Sequence, residues 1–233
     1  MAKKTKFGVC AVCGADAQLT KEHVPPRNLF LHPRPTNTIT TWTCAPCNKG
    51  TELDDEYFRL FVTAGADPGS RVAQLWTEKV VGSSFTRSPA LKAQLQNDRV
   101  RLREHHEEHP LKAYDGETVS DEVVENCMML DASRVNRVAE KIVRCLYFHH
   151  HGGPLPRNLS FQSSLAPLDG SKLELVIRER KGLVGGEEGE FIYWYHLGES
   201  SSYTSEWVLL FYLQRHIIVT TKETSNKGMQ ASA

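Results

Sequence analysis

Residues 10–13 read C-A-V-C, residues 21–26 K-E-H-V-P-P, residues 37–50 N-T-I-T-T-W-T-C-A-P-C-N-K-G, and residues 54–59 D-D-E-Y-F-R. Two C-x2-C pairs, Cys10/Cys13 and Cys44/Cys47, bracket this stretch. A C-x2-C turn aims two sulfurs at one ion, so the four cysteines read as one closed tetrahedral zinc site that folds the intervening chain back on itself. Phe7–Val12 and Leu19–Val24 read as short extended segments, the second stopped by Pro25 and Pro26. Residues 37–43 set Ile and Trp among threonines, a strand pattern. From Asn48 onward Leu53, Tyr57, Phe58, Leu60 and Phe61 recur at helical spacing. The expected order is strand, irregular loop, strand, helix, with the helix N-terminus beside the metal.

Outward from this stretch, the chain of 233 residues is long enough to bury its own core. Its 40% hydrophobic and 24% charged content is that of an ordinary globular protein. The longest apolar run, 207–219, contains Gln214, Arg215 and His216 and is too short to span a bilayer. The basic N-terminus has no apolar segment behind it, so neither a signal peptide nor a membrane partner is expected, and a cytoplasmic location follows. In that compartment Cys127 and Cys145 are expected as reduced thiols in helical surroundings. Net charge is zero, but residues 1–50 carry Lys3, Lys4, Lys6, Lys21, Arg27, Arg34 and Lys49 against Asp16 and Glu22. A basic N-terminal module suits a phosphate-backbone partner; a solubilising face has the same composition.

Beyond the first helix, residues 70–80 carry a second helical stripe ended by 82–84, and Ser88-Pro89 has the chemistry to open a third. Residues 97–103 read as a strand (N-D-R-V-R-L-R) and 104–110 as a charged loop. Residues 133–149 form a helix with Val135, Val138, Ile142, Cys145 and Leu146 on one face. Then come strands over 172–180, 190–197 and 206–220, with a glycine-rich connection at 181–189. The histidines at 105, 106 and 109 and at 149–151 read as a polar loop and a helix end rather than ligands, and the aromatic run 193–195 reads as sheet core. The fold class is α+β: an N-terminal zinc module over 1–65, a second α+β domain over 66–221 with helices and then an antiparallel sheet, and a disordered tail over 222–233.

The first stretch resembles the HNH endonuclease family, whose fold is the zinc-bearing ββα-metal, treble-clef-like module. The residues that carry the resemblance are Cys10/Cys13, the Glu22-His23 pair, Asn37, and Cys44/Cys47 followed at once by Asn48. They cover residues 7–60, and the branch it looks like is a bacterial one with E-H-V-P-P. The resemblance implies His23 as general base, Glu22 and Asn48 as ligands of a catalytic Mg²⁺ or Mn²⁺, Asn37 as a brace of the histidine loop, and a purely structural zinc. The chemistry agrees. A neutral imidazole accepts a proton from water at pH 7, and a hard cation held by one or two oxygens stabilises a developing 3′-oxyanion.

The chain departs from the family pattern where a Gly-Gly pair is common between the His and the first Asn; here the loop contains L-F-L-H-P-R-P-T. A lysine or histidine is also common shortly after the helix Asn, where this chain has Thr51 and Glu52. Glu52 lies one turn from Asn48 and is a further candidate ligand. The acidic run 54–56 is expected away from the substrate or beside the ion. Arg27, Arg34 and Lys49 are candidate phosphate contacts. The expected function is metal-dependent hydrolysis of nucleic-acid phosphodiesters, DNA foremost. The alternative is a non-catalytic zinc module that binds nucleic acid or protein. Oligomeric state is not legible.

Overall fold

The structure, a computed structural model, describes residues 6–35, 38–113, 115–165, 183–187, 189–199, 201 and 203–223. Asn37, the strand expected over 172–180 and the tail beyond Glu223 lie outside them. The fold is mixed α+β with two antiparallel sheets and a cysteine cluster near the N-terminus. No helix among the described residues is long and apolar enough to cross a membrane.

The chain divides into two compact units, Met1–Asp55 with Asn136–Ala233, and Glu56–Val135. The first limit falls at 55 where 65 was expected, because residues from Asn136 on return to the N-terminal segment.

In the first unit, β1 (Lys6–Val9), β2 (Asp16–Val24) and β3 (Ile39–Cys44) form a sheet in sequence order. The β2–β3 register sets Leu19 opposite Cys44, Lys21 opposite Trp42, Glu22 opposite Thr41 and His23 opposite Thr40. Directly opposed residues share a face, so Lys21, His23, Thr40 and Trp42 lie on one side, with Thr20, Glu22, Thr41 and Thr43 on the other. Two short helical pieces follow, α1 (Ala45–Lys49) and the start of α2 (Glu52–Thr63), separated at Gly50 and Thr51. A Cβ at Gly50 would stand 2.4 Å from the Pro46 carbonyl oxygen, which explains the glycine at this close turn.

The long helix Ala132–His151 is the central packing element of this unit from Asn136 on, and it is α7 in chain order, after α3–α6 of the second unit. Its expected stripe is buried: Val138, Ile142, Cys145 and Leu146 are all inaccessible. One flank meets the N-terminal sheet, where the Cys145 thiol lies beside the Thr41 side chain. The other meets the second sheet, where Ser163 Oγ donates to Asn136 Oδ1 at 2.5 Å and the Arg144 guanidinium lies 4.6 Å from the Phe161 ring centroid.

That second sheet has the order β4-β8-β7-β6-β5: β4 (Leu159–Ser164), β5 (Leu183–Glu187), β6 (Phe191–Leu197), β7 (Ser205–Phe211) and β8 (Arg215–Glu223). Tyr193, Tyr195, Trp207, Leu209 and Val219 are buried on one face and Trp194 and Val208 on the other, so the aromatic run is sheet core. Two expectations are corrected. The glycine-rich 183–187 is itself a strand paired with β6. The single strand expected over 206–220 is a hairpin, because Tyr212 and Leu213 take φ of 54° and 58° and the Gln214 N–H donates to the Phe211 carbonyl at 3.0 Å. Two successive left-handed residues make the tight turn that reverses a hairpin. The Tyr212 hydroxyl donates to the Leu29 carbonyl, tying this turn to the N-terminal segment.

The second unit is helical: the rest of α2, α3 (Arg71–Leu75), a wider π-type run over Trp76–Ser84, α4 (Phe85–Arg87), α5 (Pro89–Glu108) and α6 (Asp121–Asn126). Ser70 caps α3 by accepting from the Ala73 N–H at 3.1 Å, and Ser88 caps α5 ahead of Pro89. The strand and charged loop expected over 97–110 are instead the body of α5. Leu91, Leu95 and His106 are its buried positions, at helical intervals, while Val100 is 44% exposed, so the local alternation buries nothing. His106 accepts from the Leu111 N–H at 3.0 Å and faces Asp121 at 3.4 Å, the contacts of a structural histidine.

Candidate functional site

Four cysteine sulfurs converge where the first sheet meets α1. Cys10 and Cys13 sit in the β1–β2 turn, Cys44 ends β3, and Cys47 lies in α1. Their sulfur atoms all lie within 4.8 Å of one another. Cys13 and Cys44 are 3.8 Å apart, which is the edge of a tetrahedron of about 2.3 Å zinc–sulfur bonds. Backbone geometry builds the knuckle. The Gly14 N–H donates to the Cys10 carbonyl at 2.9 Å, and Gly14 takes φ +67°, where a side chain would be strained. The Cys44 N–H donates to Cys10 Sγ at 3.3 Å. Crowding four thiols drives their titrations apart. At Cys13 burial works upward, but the Ala15 backbone and the neighbouring sulfurs prevail and draw it down to about 7, whereas burial and its neighbours push Cys47 far up. The cluster can hold a metal ion such as zinc, and among the described residues no other group of three or more His, Cys, Asp or Glu ligand atoms is close enough to share one. Cys127 and Cys145 are free thiols, and burial pushes Cys145 up to about 12.

Beside the cluster a cavity of about 710 Å³ opens, lined by β2 (Thr20–His23), the Pro26–Asn28 turn, Trp42, α1 and the first turn of α2. Glu22, His23, Asn48, Glu52, Arg27 and Lys49 all contribute to its lining, so the structure brings together six of the residues singled out in the sequence. Asn48 donates from Nδ2 to Thr20 Oγ1 at 2.9 Å, joining α1 to β2. His23 is held down to about 4 by partial burial and by Arg27, Lys21 and Arg34, so its imidazole is neutral at pH 7. Arg34 is near enough to act on His23 electrostatically but is not among the lining residues.

The acidic run separates into three roles. Asp54 takes a bidentate pair with Arg137 at 2.7 and 3.0 Å. Glu56 faces Arg59 at 3.6 Å and Arg87 at 3.5 Å. Asp55 turns into the cavity. There Lys141 Nζ lies 3.0 Å from Glu22 Oε1, 3.0 Å from Asp55 Oδ2 and 2.8 Å from Thr51 Oγ1. All three charged groups are buried. Burial raises Glu22 and Asp55 against the pull of the ammonium; on Lys141 burial pulls down, and the two carboxylates overcome it and hold the ammonium charged. Asp55 Oδ1 is buried with no partner. Glu52 opens on the cavity without joining Glu22 and Asp55 in one metal-sized cluster.

Asp55 was read only as part of the acidic run 54–56, and Lys141 was not singled out in the sequence. Asp55 had a signal: Asn48, Glu52 and Asp55 fall at the spacing of one helix face. Lys141 had a fainter one, a lysine placed among Val138, Ile142 and Cys145 on a buried stripe. No family model, no curated protein and no solved structure matches this chain.

Proposed function

We propose that the chain is a metal-dependent endonuclease of HNH type that hydrolyses phosphodiester bonds, with DNA as its substrate. The observation that carries this reading is the convergence, beside the four-cysteine cluster, of His23, Glu22 and Asn48 on one cavity whose rim holds Lys21, Arg27 and Lys49. The strand–strand–helix order around the cluster supports a ββα-metal module there. Zinc on Cys10, Cys13, Cys44 and Cys47 is structural, since four thiolates leave no open position.

The donor set also fits a hard divalent cation. Glu22 and Asn48, which line the cavity, would be its oxygen ligands, and Asp55 Oδ1 is a buried acceptor without a partner. When bound, Mg²⁺ or Mn²⁺ supplies charge stabilisation at the phosphate and leaving oxygen. The chain's own residues do the rest. Lys21, Arg27 and Lys49 hold phosphate oxygens. His23 accepts the proton of the attacking water, and a bound phosphate offsets the cations that depress its basicity. Asn37 lies outside the described residues, and its bracing of the histidine loop is only what the resemblance implies.

One observation favours the alternative, a zinc module that binds nucleic acid or protein without cutting: Glu22 Oε1 is already paired with Lys141. Nicking of supercoiled plasmid by zinc-loaded protein with Mg²⁺ or Mn²⁺ separates the two. Cutting that is lost in Glu22→Ala, His23→Ala and Asn48→Ala, each retaining zinc, is the expected result, with losses of about 10²–10⁴-fold for His23. Plasmid retarded in a gel but never nicked would leave the binding module.

A further inference from the structure

Lys141 sits where a cation would sit. Its Nζ has three oxygen neighbours at 2.8–3.0 Å, two of them carboxylates from different elements, β2 and α2. The side chain is 4% exposed, so this charge is not a solvated lysine resting on acidic neighbours. Two buried carboxylates facing a common point repel each other and require positive charge between them. One more acceptor remains there, because Asp55 Oδ1 is buried without a partner.

We propose that the Lys141 ammonium is a built-in counter-cation that fills a second cation position between Glu22 and Asp55, and so limits the cavity to a single divalent ion. The inference rests on the reading of the cavity as a divalent-cation site. The two carboxylates and the Thr51 hydroxyl are a donor set that Mg²⁺ or Mn²⁺ accepts once waters complete the shell. The ammonium excludes such an ion by charge and by volume. It also aims Glu22: with Oε1 fixed toward α7, Oε2 is the oxygen left for the cavity. Lys141 is therefore a positioning residue, supplied by a helix far along the chain from the cysteine motif.

The test counts ions and does not need activity. The zinc-loaded full chain is titrated with Mn²⁺, and free Mn²⁺ is followed by electron paramagnetic resonance. The parent is expected to bind one Mn²⁺ and Lys141→Ala two, because alanine vacates both the charge and the space. A parent and a Lys141→Ala variant with the same count and affinity overturn the proposal. If Lys141→Ala folds only when Mn²⁺ is present, a divalent ion has replaced the ammonium and the proposal stands. If it fails to fold at any Mn²⁺ concentration, the pair needs the lysine itself and the proposal falls. A parent that binds no Mn²⁺ beside a variant that binds one would remove the nuclease reading while leaving Lys141 in its role. A parent that cuts DNA with Mg²⁺ beside a variant with an unchanged count would do the reverse.

Discussion

Asn48 Nδ2 lies 2.9 Å from Thr20 Oγ1, and that one bond fixes which way the Asn48 amide faces. The Thr20 hydroxyl in turn lies 3.4 Å from the Thr43 carbonyl, as its donor. Nδ2 is a donor and accepts nothing, so with it committed to β2 the amide oxygen is the atom left for an ion or a water. The helix carrying Asn48 is only five residues long, and its place depends on such side-chain ties as well as on Cys47.

Thr20→Val therefore separates orientation from folding. It keeps the β-branched shape on β2 and removes the acceptor. The expected stability loss is about 1 kcal/mol, the net worth of an ordinary hydrogen bond. If Asn48 holds the ion as proposed, metal-dependent cutting falls by about 10–100-fold, the usual effect of losing an outer-shell partner of a metal ligand. Thermal melts and nicking rates on the same preparation check both. Equal activity at a lowered melting temperature would make the Thr20–Asn48 bond structural only.

The cysteine cluster predicts a coupling of metal to fold. One tightly held zinc per chain is expected, and a strong chelator should destabilise the N-terminal sheet, because the four sulfurs come from the β1–β2 turn, the end of β3 and α1, which one ion would clamp together. Cys47→Ser should lower zinc occupancy and melting temperature together. Zinc release followed with a chromogenic chelator, alongside circular dichroism, reads both, and a chain that keeps its melt after losing zinc would refute the coupling.

The unequal legibility of this chain has physical causes. The four cysteines were readable because metal ligation imposes a spacing that few other demands reproduce. The helix 133–149 was readable because its stripe is nearly all apolar. Residues 97–103 were misread because arginines alternate with Asp98, Val100 and Leu102 over a span too short to show that Leu91, Leu95 and His106 continue a helical face. The reversal at 212–213 was missed because Tyr-Leu has none of the chemistry of a left-handed turn. Lys141 was missed because its partners, Glu22 and Asp55, are distant in sequence and only the packing of α7 brings them together.

That reversal makes its own prediction. Leu213 holds φ +58° and is 63% exposed, so its side chain packs little against the backbone strain it carries. A non-glycine residue in this region costs about 1–2 kcal/mol. Leu213→Gly relieves that and loses some chain entropy, for a net gain of about 0.5–1 kcal/mol. Tyr212→Phe should do the opposite, by about 1–2 kcal/mol, since it strips the buried Leu29 carbonyl of its donor. Urea midpoints of the two variants should move in opposite directions from the parent; movement in the same direction would mean that the turn is not strained as described.

The last prediction concerns acid. His150 Nε2 lies 2.8 Å from the Tyr193 hydroxyl, and its ring packs 4.9 Å from that of Tyr195. Withdrawal from water lowers its pKa, and the like charges of His149 and His151 lower it further. An unfolded histidine takes up its proton near pH 6.5. The folded chain takes up this one only at lower pH, so between the two values the unfolded state binds more protons. Stability must then fall as pH drops through that window and be level above it. His150→Gln keeps a partner for Tyr193 and cannot titrate. The melting temperature of the parent should decline from pH 7.5 to 5.5 more steeply than that of the variant, with the two curves parallel above pH 7. Parallel curves throughout would mean that His150 titrates in the fold as it does in the open chain, and that its contact with the tyrosines leaves its charge indifferent.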